Sequence, residues 1–150
     1  MSDERYELLY QEALRSVRDQ PGAIDSIQSR AGLVGSAAAV GLSLASVQGS
    51  LGTAWAWGIL PVFVGTFLAI AWILWPRGTW RFDFEPDVVL WQYIEGPKPL
   101  RTELMKRDLA LHLGRYAQIN AEQIDRLARM LAGALVGLLV ESVLIVLSFL

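Results

Sequence analysis

Apolar positions return at a four-three-four spacing through residues 3–19, where Tyr6, Tyr10, Ala13 and Val17 share one face and charges take the rest. The pattern predicts an amphipathic helix. Pro21-Gly22 interrupts it, because proline removes a backbone hydrogen bond and crowds the preceding turn. The same spacing resumes in phase at Ile24, Ile27 and Ala31. A second helix is therefore predicted to start near Pro21, a favoured first-turn residue, and to run on. Residues 31–50 carry no charge and are long enough to span a bilayer. Gly, Ala and Ser dominate them, and Gly32, Gly35 and Gly41 are read as packing positions where a neighbouring helix comes close.

Residues 54–76 form a second uncharged run. At about 1.5 Å per residue, twenty of them cover the roughly 30 Å of a bilayer's hydrocarbon core. Trp55 and Trp57 stand at one end and Trp72 and Trp75 at the other, with Trp80 just beyond, as interfacial anchors do. The short uncharged turn at 49–53 makes the two runs an antiparallel hairpin. In residues 77–99, Trp80, Phe82 and Phe84 alternate with Arg81, Asp83 and Glu85, then a short helix runs from Pro86-Asp87 to Gly96-Pro97. This proline-bounded interfacial segment is expected to tuck against the bundle. Residues 99–129 read as a long amphipathic helix striped by Leu109, Leu113, Tyr116, Asn120, Ile124, Leu127 and Leu131. No breaker separates it from the apolar run at 130–150, so one continuous helix is expected to enter the membrane near Arg126–Arg129.

Composition agrees. The 150 residues are 53% hydrophobic and 19% charged, with a mean hydropathy of +0.37, which is the membrane class. The fold class expected is an all-α membrane protein: one membrane domain with three transmembrane helices, the first and third extended into a cytoplasmic helical stalk. All thirteen Lys and Arg lie outside the spans, four in residues 1–30 and nine in 77–129. The positive-inside bias puts the N-terminus and residues 77–129 in the cytoplasm and the C-terminus outside the inner membrane. Six acidic residues in the first thirty are the wrong opening for a cleaved signal peptide. Eleven Arg against two Lys hint at a GC-rich prokaryotic genome.

Candidate chemistry is sparse. The chain has no cysteine and one histidine, His112, so neither a metal site nor a nucleophile–base pair can be built. No catalytic residue, cofactor or nucleic-acid partner is expected; His112 is read as surface or packing. Asn120 lies on an apolar seam, where it sets register or oligomer state or bonds within one subunit. Glu141 breaks the local rule. An ionised side chain at a span centre costs about 2.5–3.5 kcal/mol on insertion scales, and is by default a functional residue. Gly137 and Gly133 precede it on the same face as a G-x-x-x-G pair, and no Lys, Arg or His lies in any span. Three arrangements are open: a protonated carboxyl bonded to Ser43, Ser46, Thr66 or a backbone carbonyl; a ring of symmetry mates around a wet pore; or a partner protein's cation.

The run Ile24, Asp25, Ile27, Arg30, Ala31 and Gly32 fits an I-D-x-[IL]-x-x-[RK]-A-G pattern leading into the first span. In this it resembles small prokaryotic transmembrane effectors, the Pycsar-type proteins and their SMODS-associated transmembrane relatives. The stretch NAEQIDRLARMLAGALVGLLVESVL is similar in layout to small membrane proteins of this kind. The resemblance implies an oligomeric membrane protein that answers a nucleotide second messenger and compromises membrane integrity, with residues 77–129 or a partner as sensor. The expected function is thus a self-associating, non-enzymatic membrane protein that alters permeability. The alternative is an accessory subunit whose cytoplasmic helices dock a partner protein.

Overall fold

The computed structural model describes residues 2–47, 53–76, 80 and 101–148. The turn expected at 49–53, apart from Thr53, and the proline-bounded segment at 77–99, apart from Trp80, lie outside the described residues. Every regular element among the described residues is an α-helix: α1 (Ser2–Arg18), α2 (Gln20–Val47), α3 (Thr53–Leu74) and α4 (Thr102–Ser148). α4 runs unbroken for 47 residues, about 70 Å at the standard rise. α1 closes with Asp19 N–H donating to the Arg15 carbonyl at 3.1 Å, and Pro21 sits in the first turn of α2. There its missing N–H costs nothing.

The chain forms two compact units. The first joins Met1–Ala23 to Arg77–Ile124. In it α1 lays Tyr10, Ala13, Leu14 and Val17 against Leu113 and Ala117 of α4, which are the stripes of both helices meeting. The second unit joins Ile24–Pro76 to Asp125–Leu150. Here α2 buries Ala31, Val34 and Ala38, α3 buries Ile59, Ile70 and Ile73, and α4 buries Leu127, Leu131 and Ala134. Its exposed side chains are also large and apolar, among them Leu33, Leu44, Leu60, Phe67, Leu68, Val136, Leu139 and Val146.

Among the described residues, two helices are long and apolar enough to cross a membrane: α3 over Trp57–Leu74, and α4. Over its described residues α2 is not one of them. Pro61 lies inside α3, a position that membrane helices tolerate when neighbours satisfy the freed carbonyl.

Candidate functional site

Glycines set the spacing of the three helices in the second unit. A Cβ at Gly35 of α2 would stand 3.5 Å from Ile70 of α3, and one at Gly41 would stand 3.4 Å from Ile145 of α4. A Cβ at Gly137 of α4 would collide with Thr66 Oγ1 of α3. Each helix pair thus approaches at one glycine. Gly32 and Gly133 face open space instead, so the G-x-x-x-G pair on α4 is divided: Gly137 packs and Gly133 does not.

Glu141 follows Gly137 by one helical turn and is 1% exposed. Its Oε1 lies 3.9 Å from the Cβ position of Gly41. Neither carboxyl oxygen has a hydrogen-bond partner. Two of the donors expected for it are committed within their own helix: Ser43 Oγ donates to the Ala39 carbonyl and Ser46 Oγ to the Ser43 carbonyl, both at 2.8 Å. Thr66, 4% exposed, presses on Gly137 instead. Of the three arrangements open from the sequence, the one bonded within the chain is therefore not formed. A buried polar group left without a partner costs about 1–3 kcal/mol, and more when charged.

The first unit holds its own buried polar group. Asn120, 1% exposed, donates from Nδ2 to Gln20 Oε1 at 2.9 Å, and Gln20 Nε2 donates to the Ala117 carbonyl at 2.8 Å. Asn120 thus bonds within the chain, fixing the start of α2 against α4. Sequence reasoning missed Gln20, although it stands three residues after Val17 and four before Ile24 on the apolar stripe; the following Pro-Gly disguised it as part of a linker.

On the rim of this unit, Lys106 Nζ lies 2.7 Å from Glu7 Oε2 and Gln11 Nε2 donates to Glu7 Oε1 at 2.8 Å. The Gln11 hydrogen bond, then Lys106, hold the Glu7 carboxyl below its ordinary 4.5. A depressed carboxylate adds stability that is present above the ordinary value and lost as the pH falls through the folded one. The melting temperature of the wild type should exceed that of Glu7→Gln at neutral pH, with the difference closing on acidification below 4.5. A difference that persists in acid would show that the pair contributes nothing through its charge.

His112 is on the surface, 3.9 Å from Asp108. Trp57 in the second turn of α3 and Trp75 just past its C-terminus are 78% and 69% exposed, and Trp72 is also exposed. Trp80 is partly buried, and the Trp55 side chain lies outside the described residues. Among the described residues no group of three or more His, Cys, Asp or Glu could hold a metal ion. No protein-family model, curated protein or solved structure matches the chain.

Proposed function

We propose that the chain is a non-enzymatic, multi-pass inner-membrane protein that self-associates and alters membrane permeability. One observation carries the membrane reading: the second unit exposes Leu, Val, Phe and Trp over its surface while Thr66 and Glu141 lie buried among its Ile, Leu and Ala side chains. Water-soluble bundles do the reverse with carboxylates, and an apolar surface of this extent marks a membrane or interaction face. Three spans follow, with α2 crossing from Ala31, α3 along its length and α4 from near Met130. α2 serves as the least apolar span because its small residues pack on α3 and α4. The distribution of Lys and Arg supports a cytoplasmic N-terminus and an outer C-terminus. Trp57 near the start of α3 and Trp75 just past its end, both exposed, support the same slab.

Permeability draws on Glu141, an ionisable group at the centre of an apolar unit, and on the likeness of residues 24–32 to nucleotide-triggered effectors. In cells overexpressing the chain, a voltage-sensitive dye should report depolarisation that Glu141→Leu, at matched membrane levels, removes. If neither form changes the potential, permeability is the wrong reading. The accessory-subunit reading then takes its place, supported by Leu8 and Leu111, which are exposed on the first unit where a partner helix could cover them.

A further inference from the structure

Glu141 has two carboxyl oxygens, 1% exposure and no hydrogen-bond partner. Residues 31–47, 53–74 and 130–148 contain no other titratable group and no cation. These segments therefore supply nothing to balance its charge. A buried carboxylate persists only when paired or neutralised; Gly41 stands beside Oε1, and the Thr66 hydroxyl fills the notch at Gly137, one turn before Glu141.

We propose that Glu141 binds an exchangeable small monovalent cation, a proton or a sodium ion, which enters from water and holds the three helices together. The Glu141 oxygens take the ion, and the Thr66 hydroxyl, which packs at Gly137 one turn before Glu141, is a further oxygen beside the same stretch of α4. This goes beyond the permeability reading and does not need it; it rests on the membrane reading of the second unit alone. A ligand that binds only the folded state stabilises it by mass action. Stability should then rise with the concentration of whichever cation is bound.

The test uses the full chain, extracted from membranes with detergent and unfolded thermally while tryptophan fluorescence is recorded. A chain recovered without detergent would expose the failure of the membrane reading before any melting is done. In sodium-free buffer, a midpoint that climbs as the solution is acidified assigns the proton. At fixed pH, a midpoint that climbs with sodium chloride and not with potassium chloride assigns the metal ion. In either case Glu141→Gln, which keeps the shape and loses the charge, should flatten the dependence. If Glu141→Gln does not accumulate in membranes, Glu141→Met is the uncharged replacement. Wild type and variant with identical pH and sodium dependence would overturn the proposal.

Discussion

Gly137→Leu is expected to prevent α3 and α4 from packing, since even a Cβ at this position collides with Thr66 Oγ1. The smaller Gly137→Ala should cost about 1–3 kcal/mol, the usual penalty for overfilling a packed contact. Adding Thr66→Ala removes the colliding oxygen and leaves the two methyl carbons near 3.5 Å, an ordinary contact. The double variant should recover most of the loss, a coupling that neighbouring residues show and distant ones do not. Gly133→Ala, in open space, should be neutral or better by up to about 1 kcal/mol through helix propensity. Melting midpoints in detergent micelles decide the matter. Equal damage from Gly133→Ala and Gly137→Ala would mean that both glycines face another chain.

Leu113→Ala should cost the first unit about 2–5 kcal/mol, the range for emptying a buried leucine site. Leu113 is 3% exposed and, with Ala117, forms the α4 side of the cluster in which Val17 and Tyr10 of α1 pack. Amide exchange should show it directly, with protection of Tyr10–Val17 lost while that of α3 is retained. Leu111, two residues away and 58% exposed, is the control; Leu111→Ala should change stability by no more than about 0.5 kcal/mol. Retained protection of α1 in Leu113→Ala would show that α1 docks by other contacts.

The stripes were legible because a helical period is written in residue spacing. Val17, Ile24, Ala31, Leu109, Leu113, Leu127 and Leu131, all placed on seams by the pattern, are buried. The break at Pro21 and the uninterrupted course of α4 followed from the presence and absence of breakers. What could not be read was which surfaces meet. Gly133 and Gly137 are equivalent in a motif, and only the position of Thr66 separates them. Glu141 announced itself by its charge, yet the sequence offered Ser43, Ser46 and Thr66 as partners. Serine in a helix has a competing acceptor one turn back in its own backbone, and Ser43 takes that bond. Gln20 lay on the stripe in plain view, but a polar side chain on an apolar face acquires meaning only from its partner, and Asn120 is one hundred residues away.

The position of Glu141 after α2 and α3 in chain order bears on biogenesis. α2 and α3 leave the ribosome before α4, and chains generally acquire structure from the N-terminal side during synthesis. Gly41, beside the Glu141 carboxyl, and Thr66, which packs at Gly137 one turn before it, are therefore already made when the carboxyl emerges. α4 inserted on its own would present Glu141 to hydrocarbon; delivered after α2 and α3, it meets two helices already in place. Moving α4 ahead of them in a permuted chain would reverse that order and leave the costliest side chain of the protein to enter the bilayer unaccompanied.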